Sequence, residues 1–105
     1  MTRERVNPTD CMTMTDVRAG VDAVDHALMA LLVERFGYMD AAARIKPDRS
    51  AVRDEARKAQ VIANARAAAV AGGIPADEIA AIWDRLVEAS IAYELDAFDA
   101  RVAAE

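Results

Sequence analysis

One cysteine and one histidine in 105 residues leave little to build with. Cys11 has no intrachain partner for a disulfide, and Cys11 with His26 cannot assemble a zinc or haem site. His26, set among charged helix residues, reads as a surface side chain. No run approaches the roughly 18–20 apolar residues of a membrane span, so no membrane contact is expected. The opening MTRERVNPTDC lacks the apolar stretch of a signal peptide, and a cytoplasmic location is expected. An excess of positive charge is also missing. Thirteen Lys and Arg against 18 Asp and Glu give a net charge of −5, which disfavours nucleic acid, whose binding needs a basic face. There is no Gly-rich phosphate loop, and no Ser or Cys stands with a His in a triad pattern. No cofactor and no metal are expected, and no segment alternates as a strand does.

What is present is helical. The chain is rich in Ala, Val, Leu, Asp, Glu and Arg, with four Gly and three Pro, the profile of an all-α protein. Residues 1–14 carry Pro8 and no apolar period, and read as a flexible N-terminal arm ahead of a single helical domain over 15–105. Thr13 followed by Asp16 is a capping signal. A first helix then spans residues 15–46, with Val17, Val21, Val24, Leu28, Leu31 and Leu32 at 3–4 spacing. Gly37, beside the inner face, suggests a close approach there. Pro47 ends the helix. A second helix is expected over residues 50–71, with Ser50 as N-cap and Val52, Ala56, Ala59 and Ile62 or Ala63 inward. Gly72-Gly73 stops it. A third, with Pro75 in its first turn, carries Ile79, Ile82, Trp83, Leu86, Val87, Ile91 and Phe98.

Lengths decide the assembly. A first helix of 32 residues is about 48 Å long, whereas a compact chain of this size is around 34 Å across. The helix overshoots its own domain, so the expectation is a three-helix protomer in an intertwined homodimer.

Two cations stand where the first helix should be apolar. At roughly 100° per residue, Arg35 falls about 20° from Leu28, and Lys46 almost on top of it. Burying a charge costs several kcal/mol unless an opposite charge meets it. The pair projects into one groove about 16 Å apart along the axis, facing either core carboxylates or an anionic ligand. Arg18 lies about 100° away and reaches such a groove only on a partner chain. On the third helix, Ser90 falls on the buried face, where the carbonyl four residues back can satisfy it. Glu94, one turn on, either pairs with Arg or Lys or holds its proton. Asp54, Arg57 and Lys58 at i, i+3 and i+4 form a charged triplet that reads as a solvated helix surface unless Arg57 turns to the groove. With no nucleophile and no metal set, these groups suit a small organic di-acid held by Arg–carboxylate pairs. Chemistry there proceeds by positioning and electrostatics.

These strings resemble the all-helical chorismate mutases. The matching pieces are Asp16-Val17-Arg18 with Val21-Asp22 and Val24-Asp25, then Leu31-Leu32-Val33-Glu34-Arg35. Ala43-Arg44-Ile45-Lys46, Val52-Arg53-Asp54 with Arg57, and Glu88-Ala89-Ser90 with Glu94 complete the set, in order, over residues 14–100. The resemblance implies an entwined dimer with two equivalent sites and the Claisen rearrangement of chorismate to prephenate. It implies Arg18 as the partner-supplied clamp on one substrate carboxylate and Arg35 on a carboxylate from the same chain. Lys46 would donate to a carboxylate and to the ether oxygen. Asp54, Arg57 and Ser90 would line the pocket, and Glu94 would face the oxygen whose bond breaks. A Glu can donate there only when protonated, so turnover is expected to decline as pH rises and Glu94→Gln to flatten that decline.

Lys58 departs from the pattern, because many mutases carry Glu there as an acceptor for the ring hydroxyl. The related isochorismate–pyruvate lyases share the scaffold, lack that Glu and have an arm resembling Thr9-Asp10-Cys11. Release of pyruvate from isochorismate to give salicylate is therefore the alternative, while Ser90 and Val52-Arg53-Asp54 favour the mutase. A non-catalytic dimerisation module with a buried ion-pair network is the third reading.

Overall fold

Three helices and no strand make up the described residues, 5–105, of the computed structural model. Residues 1–4 of the expected arm lie outside them. The chain divides at residue 35 into two units.

In the first unit, residues 5–35, the start of helix α1 (Met14–Ile45) is set by its own side chains. The Thr13 hydroxyl accepts from the Asp16 amide at 3.1 Å, and the Asp16 carboxylate accepts in return from the Met12 amide at 3.1 Å. One orphan donor of the helix start and the amide just ahead of the cap are thereby satisfied, in a variant of the capping box that reaches one residue further back. Ahead of the helix, Pro8–Asp10 forms a 3-10 turn. The arm and the first turns of α1 enclose a groove of about 310 Å³, walled by Val6, Pro8, Cys11, Val17, Val21 and Val24, with Arg5 and Asp25 at its polar margin. His26 is exposed.

The second unit, residues 36–105, holds the end of α1, helix α2 (Glu55–Gly72) and helix α3 (Ala76–Ala104). Helices α2 and α3 pack on each other. Ala65 and Ala69 are buried on α2, and Ala80, Val87, Ile91 and Phe98 on α3. The end of α1 is tied to α3 by an edge-to-face contact of Phe36 and Tyr93, ring centroids 5.0 Å apart. The Tyr93 hydroxyl also donates to Asp40 at 3.0 Å. That bond to a carboxylate raises the Tyr93 pKa.

Two expectations are corrected. Ser50 does not cap α2. Asp48 accepts from both the amide and the hydroxyl of Ser50, closing a separate 3-10 turn at Arg49–Ala51, and α2 begins four residues later with Asp54 as N-cap. This local Asx-type turn competes with helix extension and wins. Val52 consequently lies off the helix, in the loop, yet is buried against Val87 and Ile91. The inner face of α2 runs through Val61, Ala65 and Ala69, with Ile62 half-buried as expected, while Ala56, Ala59 and Ala63 are exposed. An Ala-rich helix has no strong apolar stripe, and counting Val52, which lies outside α2, as part of its face points to the wrong side. Within the described residues a Cβ on Gly37 would meet nothing within 4 Å, so the approach expected there is not made by this chain's own described atoms. The stop at Gly73 does follow expectation. Its φ of 71° is left-handed, and the amides of Gly73 and Ile74 bond back to Val70 and Ala69, as in a Schellman close.

Candidate functional site

Lys46 is the first residue past α1, its amide still bonded to the Ala42 carbonyl at 2.9 Å before Pro47 forbids another turn. Its position sends the side chain toward α3. The ammonium donates to Glu94 Oε2 at 2.6 Å and to the Val52 carbonyl at 3.4 Å. Glu94 is only 4% exposed and Ser90, one turn before it, 3%. These are the two buried polar residues among the described ones, set on a helix whose other buried positions are apolar. The Ser90 hydroxyl donates to the Leu86 carbonyl at 2.7 Å, the back-bond that satisfies a hydroxyl within its own helix. The Lys46–Glu94 pair is asymmetric. The carboxylate side chain is 5% exposed and the ammonium side chain 29%, so the cation lies nearer solvent than the anion it meets.

The other expected site residues are placed as follows. The Asp54 carboxylate caps α2, accepting from the Arg57 amide at 3.0 Å. Arg57 is exposed, and its guanidinium donates to Gln60 one turn on. Arg18 and Arg35 lie on α1 within the first unit, Arg18 exposed and Arg35 half-buried. Lys46, Glu94 and Ser90 are thus brought to one region of α3, and Asp54 and Arg57 to the start of α2. None of the seven lines the groove of the first unit.

Beside the α2 start lies a network that sequence reasoning did not single out. Arg53 grips Glu88 with both terminal nitrogens, at 3.0 and 2.8 Å, and also reaches Glu55 at 3.0 Å. Lys58 donates to the same Glu88 at 2.8 Å and pairs with Asp84 at 3.2 Å. Hydrogen bonds first from Arg53 and then from Lys58 hold the Glu88 carboxyl down at about 2. The same bonds raise Arg53 and Lys58. Lys58, expected on a solvated face, is instead committed to two carboxylates of α3. Arg53 and Glu88 both stand in the strings that carry the resemblance, but their pairing depends on the register of α2. The Val52 carbonyl had no signal at all, because backbone acceptors leave no mark in side-chain patterns.

A buried carboxylate faced by a partly exposed ammonium, with a buried hydroxyl one turn away, suits recognition of a small polar molecule. The family profile described as chorismate mutase type II matches residues 17–95. The chain belongs to that family. All seven expected site residues fall inside the matched span. Among curated proteins none matches this chain. Membership in the chorismate mutase type II family brings the family's general activity, an isomerase acting on a small molecule, without an individual relative to narrow it. No helix among the described residues is long and apolar enough to cross a membrane.

Proposed function

We propose that the chain rearranges chorismate to prephenate at a site built around Lys46 and Glu94 and closed by a second copy. The carrying observation is the Lys46 ammonium 2.6 Å from a carboxylate that is itself buried. In this reading a substrate carboxylate competes with Glu94 for Lys46. A carboxyl donates a hydrogen bond only as the acid, so in this reading Glu94 takes part in its protonated form. As the ether C–O bond lengthens and the new C–C bond forms, negative charge grows on the oxygen. Donors from Lys46 and Glu94 aimed at that oxygen then bind the transition state more tightly than the substrate. Arg35, with Arg18 from the partner subunit, holds the carboxylates, and Asp54, Arg57 and Ser90 complete the lining.

The second copy is supported by the outer face of α1. Val17, Val21, Val24, Leu28 and Leu31 are between 38% and 61% exposed, an apolar row along one helix. Such a row is favourable in water only when covered. The chain is read as a homodimer in the cytoplasm.

One observation favours a second reading. Position 58, one turn after Asp54, itself presents a cation, held by Asp84 and Glu88, where many mutases carry the Glu that accepts from a ring hydroxyl. That fits the isochorismate–pyruvate lyase alternative, in which the C–O bond breaks and pyruvate leaves. Incubation of the purified protein with each substrate separates the two. Prephenate from chorismate is expected. Salicylate and pyruvate from isochorismate, with no prephenate from chorismate, would replace the mutase by the lyase, and turnover of neither would leave the dimerisation module.

A further inference from the structure

Lys46 needs to be aimed as well as present. An ammonium on a four-carbon stem has many rotamers, and its direction is set by what its N–H groups meet. Here one meets Glu94 and a second meets the Val52 carbonyl at 3.4 Å, near the upper limit for a hydrogen bond. A small tilt of that carbonyl breaks the contact. The carbonyl of Val52 and the amide of Arg53 share one rigid peptide plane. The Val52 side chain is anchored between Val87 and Ile91, which fixes one end of that plane. The other end is fixed by Arg53, whose guanidinium closes on Glu88.

We infer that Glu88 is a positioning residue which, by gripping Arg53 and Lys58 together, sets the start of α2 and, through the Val52 carbonyl, the direction of the Lys46 ammonium. The inference rests on the reading of Lys46 as a substrate-contacting group. Arg53 immediately precedes the N-cap Asp54, and Lys58 follows it by four residues. One carboxylate on α3 therefore holds both sides of the cap, a polar counterpart of the hydrophobic staple supplied by another helix. An isolated exposed ion pair contributes little. This one differs in kind. The Arg53 contact is bidentate, the carboxylate is shared with Lys58, and Asp84 adds a second anchor one turn earlier on α3. Asp54 and Arg57, both on the gripped turn, are positioned by the same device.

The test uses the full chain carrying Glu88→Ala or Glu88→Gln, labelled with 15N-lysine. The Lys46 ammonium signal is assigned by its loss in Lys46→Arg. In Glu88→Ala this signal is expected to shift and broaden while the helical circular dichroism is kept. Glu88→Gln, which retains an acceptor but not the charge, is expected to lie between Glu88→Ala and the parent. With chorismate, kcat is expected to fall about tenfold in Glu88→Ala while KM changes far less. Should Glu88→Ala fail to fold, Glu88→Gln carries the same readouts. A Lys46 signal identical to the parent's in the folded variant would overturn the inference, whatever the activity. A shifted signal in a protein that never turns over chorismate would support the positioning and sink only the proposed reaction.

Discussion

The two units of this chain invert the usual arrangement of residues in opposite ways. On α1 between residues 14 and 35 the large apolar side chains point outward, Leu28 half exposed and Leu31 more so, with no buried residue in that stretch. In residues 36–105 the opposite irregularity occurs, a carboxylate and a hydroxyl buried inside an apolar helix face. Each is unfavourable alone. Exposed apolar area forfeits roughly 25 cal/mol per Å² of possible burial, and a buried carboxylate must be paired. The second unit resolves its problem internally through Lys46, whereas the first does not resolve its own within the described residues. The difference separates what one chain completes from what it leaves for another molecule.

Removing the internal solution should have the largest effect. Lys46→Ala strips the cation from a carboxylate that is 4% exposed and deletes a donor from the proposed reacting oxygen. We expect kcat/KM on chorismate to fall by about 10²–10³. Stability should drop by about 1–2 kcal/mol, below the full cost of breaking a buried pair because the Lys46 side chain is 29% exposed. Unchanged turnover would show that the buried pair is structural. The outward face is tested by Leu28→Arg. Arg is a good helix former, so the single chain should keep its helicity. A charge in the middle of the apolar row should weaken self-association roughly a hundredfold, read by sedimentation. A parent that already sediments as a monomer would remove the second copy from the proposed site.

The same contrast explains what the amino-acid pattern reveals. A long helix with one apolar stripe is legible because Val17, Val21, Val24, Leu28 and Leu31 repeat at the helical period, and the cap at Thr13 and stop at Gly73 are chemical signals. Lys46 and Glu94 were legible as misfits, since a charge on an apolar face demands an opposite one. Ser90 was legible as a hydroxyl on the buried face that the carbonyl four residues back can satisfy. The start of α2 was not. Both Ser50 and Asp54 are good caps, and the choice between them is made by Asp48, which captures Ser50 for its own turn. From that displacement follow the exposure of Ala56 and Ala59, the burial of Val52 in a loop, and the pairing of Arg53 and Lys58 with Glu88. Long side chains on neighbouring helices offer many pairings, and only the final register selects one.

That network supplies the mildest prediction, at the acid end of the stability curve. The Glu88 carboxyl falls from its ordinary 4.5 to about 2 because Arg53, then Lys58, bond its charged form. A carboxyl with a depressed folded-state pKa contributes stability that is fully present above its unfolded value and is lost as pH falls through the folded one. The contribution should therefore be complete above about pH 4.5 and gone by about pH 2. Glu88→Gln cannot ionise and lacks it throughout. Thermal melts of parent and variant at stepped pH should differ by a constant amount from pH 7 to 5, converge between 4.5 and 2, and coincide below. The pair lies at the surface, so the gap should be small and should narrow with added salt. A gap that persists unchanged below pH 2 would mean that Glu88 acts through its shape, and the charge-based clamp on the α2 start would have to be abandoned.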